Sequence, residues 1–456
     1  MFKLEKFFKL QQNQTSVKTE IGAGVTTFMT MAYILAVNPS ILGAAGMDPT
    51  AVLIATALAS FIGTCCMAFL ANLPFALSAG MGLNAYLAYT VVLGMGVPWQ
   101  TALLAVFIEG LVFILLTLTN VREAIFNAIP LNMKTAVSVG IGLFIAFIGL
   151  QNAGICIDSA TLVGITDFTA NFHTAGISAL LAIVGLFIIA VLYIKNVRGA
   201  ILIGIIVTWL IGIICQLVGL YTVDVDNGFY SLIPSAIISF DFSALGETFG
   251  QCFKAYLNGV SIFNFIVIIF SFMFVDIFDT IGTIIGVSTK ANMLDKDGHL
   301  PAIKPALLSD AIATSAGAIL GTSTTTTYVE SASGVSAGGR TGLTALTTGV
   351  LFLLSILFAP LFTTIPSFAT APALLMVGFL MFEGISKLGF SKIDPTDAIP
   401  CYLCILAMPL FYSISEGISI GCISYVIIKL ATGKAKDVTP LMYILAVLFV
   451  LKYIFL

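Results

Sequence analysis

Two carboxylates, Asp276 and Asp279, sit three residues apart inside Ile262–Val287, an apolar stretch long enough to cross a bilayer. On a helix that spacing puts them on one face, and Thr280 and Thr283 continue the same stripe. A charged side chain at the centre of a membrane helix costs about 2.5–3.5 kcal/mol. Two on one stripe therefore predict a polar pathway or binding site inside a helix bundle. Such groups accept hydrogen bonds and exchange protons, which is the chemistry of a transporter.

Two further polar positions fall in stretches that make poor membrane helices. Asn84 lies in the Gly- and Ala-rich run 77–89, and Glu330 in the Ser/Thr/Gly run 322–340. Backbone that is not helical survives at membrane depth only where protein or a water-filled cavity surrounds it. Both runs are expected to be broken intramembrane elements. A short helix over 330–338 would place the Glu330 carboxylate and free backbone N–H groups at one cavity, where the helix dipole also favours negative charge. A planar heterocycle with alternating N–H and C=O groups suits such a cavity, because carboxylates accept from ring N–H groups while amides meet its carbonyls. Glu330, Asp279, Asp276 and Asn84 are thus the expected ligands, and Asp279 and Asp276 the expected proton carriers. Asp310, Thr283, Ser331, Thr30 and Thr26 are expected to line or support the cavity. Glu109, alone in its span, is expected to be a packing partner.

The rest of the chain has to hold these residues inside a membrane. Of 456 residues, 59% are hydrophobic and 9% charged, against about 25% charged in soluble domains. Apolar runs recur from Ile21 to Leu456, and the basic start Met1–Lys9 does not resemble a secretory signal. Hydropathy alone leaves the span count open, but positive charge narrows it. With a cytoplasmic N-terminus and fourteen crossings, Lys195, Arg198, Lys290, Arg340, Lys387, Lys392, Lys429 and Lys434 all fall at cytoplasmic ends, and only Lys254 does not conform. Loops 151–174 and 361–369 on the other side carry no Lys or Arg. Seven spans per half is odd, so the second half must be inverted relative to the first. Short, Gly-interrupted segments at matching places in inverted halves point to a transporter's binding site. The apolar tail 441–456 exceeds the fourteen, and part of 221–260 is expected to form an amphipathic surface helix.

Other chemistries find little support. Cys401 and Cys404 form a CxxC inside an apolar run, where cysteine behaves as a small apolar residue. His173 and His299 are isolated in expected loops. No cofactor, metal cluster or nucleic-acid partner is expected. A membrane enzyme would need a nucleophile–base pair that the chain does not offer. An anion transporter of the sulfate or bicarbonate type is the remaining competitor, but Glu330 would cancel the helix dipole that such anions use.

The stretches 27–40 (TFMTMAYILAVNPS), 80–86 (GMGLNAY), 274–283 (FVDIFDTIGT) and 324–334 (TTTTYVESASG) together resemble the nucleobase–cation symporters of the xanthine/uracil permease superfamily. The likeness is to the guanine–hypoxanthine purine permease branch. It implies an all-α membrane protein of fourteen segments in two inverted seven-segment repeats, with broken third and tenth segments. Core parts would cover 21–120 and 262–361, and gate parts 121–261 and 362–432. A cytoplasmic N-terminus (1–20) would precede them and an extra helix (433–456) would follow. The resemblance assigns the base to acids of the eighth and tenth segments, which Asp279 (or Asp276) and Glu330 match, and to the third-segment Asn84. It also implies proton symport of guanine and hypoxanthine across the cell membrane, and a homodimer. Adenine is the nearest alternative substrate. Thr283 stands where the uracil branch carries His, and Ser331 where the uracil and xanthine branches carry Asn.

Overall fold

In the computed structural model, the two stretches least suited to cross a membrane as helices are the two that meet. Leu77–Ala79 and Thr325–Thr327 pair as short antiparallel strands, with Leu77 opposite Thr327 and Ala79 opposite Thr325. Each strand satisfies backbone groups of the other, which is how extended chain is tolerated at this depth. Each then enters a helix. Met81–Gly94 follows the first strand and is widened by π-helical turns from Tyr86 onward. Ser331–Ser336 follows the second. Antiparallel pairing of equivalent strands is what a two-fold axis between inverted halves produces.

The structure describes residues 2–119, 129–159, 162–224, 228–234, 236–255, 260–291, 293–294, 300–390 and 392–455. His299 and the side chains of Lys290 and Lys387 lie outside that description. The first half is Val17–Ala44, Pro49–Ala71, the strand–helix unit ending at Gly94, Trp99–Leu118, Leu131–Asn152, Phe172–Ile194 and Ala200–Leu217. The second is Ile262–Lys290, Ile303–Leu320, the unit ending at Ser336, Gly342–Thr363, Ser367–Phe382, Pro395–Leu410 and Ile414–Ala431. These are segments 1 to 14. Among the described residues nine are long and apolar enough to cross a membrane unaided; segment 8, with 29 residues, and the broken and shorter segments complete the set.

Several segment starts follow from local chemistry. Asp48 accepts the Ala51 N–H at 2.7 Å ahead of Pro49, and Asp394 accepts that of Thr396 at 2.9 Å ahead of Pro395, so each helix begins with a side-chain cap and a proline that has no N–H needing an acceptor. The Lys434 ammonium, followed by the Thr396 N–H and hydroxyl, holds the Asp394 carboxyl well below the usual carboxylate range. Segment 9 ends at Gly321, with φ +103°, where a Cβ would lie 2.2 Å from Thr248 Cβ. Segment 1 is interrupted at Ala32 and Tyr33, between helices Val17–Met31 and Ile34–Ala44.

The segments pack in two groups. Segments 1 and 2 lie against 11, segments 2 and 4 against 9, and segment 4 against 8. Separately, segment 5 lies against 12, 13 and 14, and segment 6 against 7 and 12. The 5–12 contact is close because Gly142 meets Gly378: a Cβ on Gly378 would stand 2.5 Å from the Gly142 carbonyl oxygen. In place of the expected surface helix within 221–260, the described residues there form the 3₁₀ turns Ser243–Glu247 and Gln251–Lys254 and an isolated bridge between Asp224 and Phe229. The stretch carries Gly228, Gly246 and Gly250 and lacks a sustained helical period. Loop 151–174 contains the hairpin Cys156–Ser159/Leu162–Ile165. The tail forms the helix Pro440–Phe455 along segment 14, with Lys452 Nζ 2.5 Å from Glu416 Oε1 and the Phe449 ring against Phe270 and Phe274 of segment 8. Cys401 and Cys404 are buried as free thiols in segment 13.

Candidate functional site

Every residue from Thr322 to Thr327 is buried, and the run meets most of the first packing group in turn. Thr322 Oγ1 accepts from Asn38 Nδ2 of segment 1 at 2.9 Å and stands 3.3 Å from Thr56 Oγ1 of segment 2. Ser323 donates to Asn84 Oδ1 of segment 3. Thr324 donates to Glu109 Oε2 of segment 4 at 2.8 Å, while its carbonyl accepts the Gly80 N–H. The Thr325 carbonyl accepts from Thr314 of segment 9 at 3.1 Å. Thr326 donates to Asp279 Oδ2 of segment 8 at 3.3 Å, and the Thr327 N–H donates to Asp310 Oδ1 of segment 9 at 3.1 Å. An extended chain points successive side chains to opposite faces, so a run of small hydroxyl residues can bond on both sides at once. The composition that disqualified this run as a membrane helix is what lets it serve as a polar hub.

Around the hub the structure divides the carboxylates that the sequence placed on one stripe. Asp276 is fully buried and accepts from Thr280 Oγ1 at 2.8 Å. The same hydroxyl stands 3.1 and 3.0 Å from the two oxygens of Asp310, so Asp276 and Asp310 form one cluster through Thr280. Asp279, three residues on and about 60° further round the helix, is half-buried and turns to Thr326. Glu330 is also half-buried, at the start of Ser331–Ser336, and its Oε1 accepts from Tyr33 Oη at 2.7 Å. Asp279 and Glu330 both lie close enough to Tyr33 and Tyr328 to act on them electrostatically. The arrangement is thus two partly accessible carboxylates beside two tyrosines, with a second, fully buried pair behind.

The remaining expected residues fall as follows. Asn84 is buried, with its carbonyl engaged by Ser323 and its amide nitrogen 3.5 Å from the Ala79 carbonyl. Ser331 accepts the Ala76 N–H at 3.0 Å and ties the two broken units together. Thr26 and Thr30 bond carbonyls of their own helix, those of Gly22, Thr26 and Thr27, and are not drawn to the carboxylates. Thr283 is half-buried two turns before the end of segment 8. Glu109, expected to be a packing partner, is engaged by the hub.

Sequence reasoning passed over Tyr33, Tyr328 and Glu20. Tyr33 lies at the interruption of segment 1, where no Gly or Pro marks the break; Pro39, inside the second half-helix, was the nearest signal. Glu20 is fully buried and accepts the N–H groups of Arg340, Thr341 and Thr344 at 2.9–3.2 Å, together with the Thr344 hydroxyl at 2.6 Å. It thereby caps segment 11, while Arg340 Nη1 donates to the Val335 and Gly339 carbonyls at 2.7 Å beyond Ser331–Ser336. A lone Glu in the first turn of an apolar run gave no hint of this.

Comparison with known proteins adds four findings. The Permease family model, of the xanthine/uracil permease type, matches residues 18–420. The chain is 45% identical over 450 residues to the guanine/hypoxanthine permease PbuO of Bacillus subtilis, covering 97% of this chain and 98% of that protein. It is 42% identical over 456 residues to the adenine permease AdeP of Escherichia coli, covering 99% and 96%. Among solved structures, the transmembrane domain of the cyanobacterial bicarbonate transporter BicA shares the fold, with TM-score 0.63, 17% identity and coverage of 90% of this chain and 97% of that one.

Proposed function

The chain belongs to the xanthine/uracil permease family, and from that premise we propose that it imports purine nucleobases, guanine and hypoxanthine, by proton symport. The carrying observation is the pair of half-buried carboxylates, Glu330 and Asp279, set beside the paired strands. Carboxylates accept the ring N–H groups of a base, and their charge makes those bonds stronger than neutral ones. The Asn84 amide and backbone N–H groups meet its carbonyl. Asp279 carries the coupling proton and touches the base, with Asp276 behind it in the cluster with Asp310 and Thr280. Ser331, Thr283, Thr26 and Thr30 support the cavity wall.

Transport proceeds by alternating access. The core (21–120 and 262–361) carries the site past the gate (121–261 and 362–432), in the cell membrane, with the N-terminus cytoplasmic and two chains forming a homodimer. The separate packing of segments 5–7 and 12–14 supports that division. An adenine permease is the second reading, favoured by the 42% identity to AdeP. The 6-amino group of adenine donates where the oxopurines accept, so one contact of opposite polarity separates the two. The likeness to BicA concerns the fold alone, and a fixed carboxylate at Glu330 disfavours anions.

Uptake of radiolabelled hypoxanthine in cells lacking their own purine permeases tests this, with guanine, adenine, xanthine and uracil as competitors and a protonophore as control. Block by guanine and by the protonophore is the expected result. Block by adenine alone moves the assignment to the second reading, and the absence of any base uptake by inserted protein contradicts both.

A further inference from the structure

Two tyrosine hydroxyls beside the carboxylates already have their protons engaged. Tyr33 Oη donates to Glu330 Oε1 at 2.7 Å, and Tyr328 Oη donates to the Ala79 carbonyl at 2.5 Å. Both rings are buried, so neither side chain is free to swing to another partner. A hydroxyl has one proton and two lone pairs; with the proton committed, each tyrosine offers a ligand only lone pairs. The Thr326 hydroxyl, engaged by Asp279, is in the same condition. Ionised Glu330 has no proton to give. The side chains on this flank of the site therefore accept and do not donate.

Tyr33 has the most consequential place among them. Its bond fixes one oxygen of Glu330, and its own lone pairs lie immediately beside that carboxylate. A ligand edge with two adjacent N–H donors matches this pair of acceptors, whereas an edge with a single donor uses only one.

We propose that Tyr33 is a specificity-determining residue of the base site, which selects the purine edge carrying adjacent N–H donors by orienting Glu330 and adding an acceptor next to it. The proposal rests on the base-transport function given above and refines it. Guanine presents N1–H next to a 2-amino group. Hypoxanthine presents N1–H next to an apolar C–H, and adenine has no N1–H. Guanine is therefore the preferred substrate. A buried acceptor left unmatched is costly, which is why a site built to bond a group discriminates against the analogue lacking it.

The test compares KM and Vmax for guanine and hypoxanthine in the parent, Tyr33→Phe and Tyr33→Leu. The parent is expected to prefer guanine. Tyr33→Phe keeps the ring and should narrow that preference by roughly three- to tenfold, the value of about one hydrogen bond, through a rise in guanine KM with Vmax little changed. An unchanged preference in Tyr33→Phe overturns the proposal whatever Tyr33→Leu does, because the ring alone would then account for the residue. An equal rise in both KM values also overturns it, as does a parent that prefers hypoxanthine, a comparison that needs no variant. A parent that is inserted but takes up no base fails earlier and contradicts the transport function itself.

Discussion

At the residue scale, the site depends on how buried charges are satisfied. Glu20 shows the principle away from the ligand: one carboxylate takes three backbone N–H groups and a hydroxyl where segment 11 begins. Glu20→Ala should leave buried donors unmet and lower stability by about 1–3 kcal/mol, read as a drop in the thermal midpoint of detergent-solubilised protein. An unchanged midpoint would show that water or a neighbour replaces the carboxylate. The types of the carboxylates and their presence inside apolar runs were legible in the sequence. Their division was not, because a three-residue spacing fixes a shared face but not which neighbour each side chain meets. Asp276 and Asp279 part company only because Thr280 and Asp310 stand on one side and Thr326 on the other. Tyr33 was illegible for a similar reason: its partner lies 297 residues away.

At the scale of elements, the paired broken segments do the positioning. That 77–89 and 322–340 would break at membrane depth followed from their glycines and hydroxyls, and the strands at Leu77–Ala79 and Thr325–Thr327 are that break. The identity of each hydrogen-bond partner along 322–327 did not follow, since six similar side chains give no register. The half-helix Ser331–Ser336 packs on segment 1 through Gly334, where a Cβ would stand 2.0 Å from Thr27 Oγ1 and 2.9 Å from the Ala23 carbonyl oxygen. Gly334→Ala must therefore push the half-helix, and Glu330 at its start, away from Tyr33. Transport should fall at least tenfold, an outcome consistent with the sensitivity of positioned groups to shifts of about 1 Å. Thr27→Ala, which removes the nearer obstacle, should restore part of it. Full activity in Gly334→Ala alone would mean that the half-helix is not held where the structure has it.

At the scale of the molecule, the count of fourteen came from positive charge rather than hydropathy, because four of the segments, 3, 10, 12 and 13, are too short or too broken to be counted by length. The added helix Pro440–Phe455 was legible as an apolar run but not in its placement, which rests on the Lys452–Glu416 ion pair and on Phe449 packed against Phe270 and Phe274. The two packing groups meet at Ser271 of segment 8 and Ser415 of segment 14, whose hydroxyls are 2.9 Å apart. If the core slides past the gate, this contact must change in each cycle. A Ser271→Cys/Ser415→Cys pair, oxidised in a background without reactive native thiols, should lose uptake and regain it on reduction. Uptake at the parental rate in a fully cross-linked protein would rule out relative movement at that seam.

The account turns on Glu330, and binding of tritiated guanine to purified protein tests it without any assumption about coupling. The parent should bind saturably, and Glu330→Gln, similar in shape but uncharged, should bind roughly 10- to 100-fold more weakly, the difference expected for hydrogen bonds to a charged acceptor. Equal affinity in parent and variant, with both correctly folded, would contradict the assignment of this carboxylate to the base.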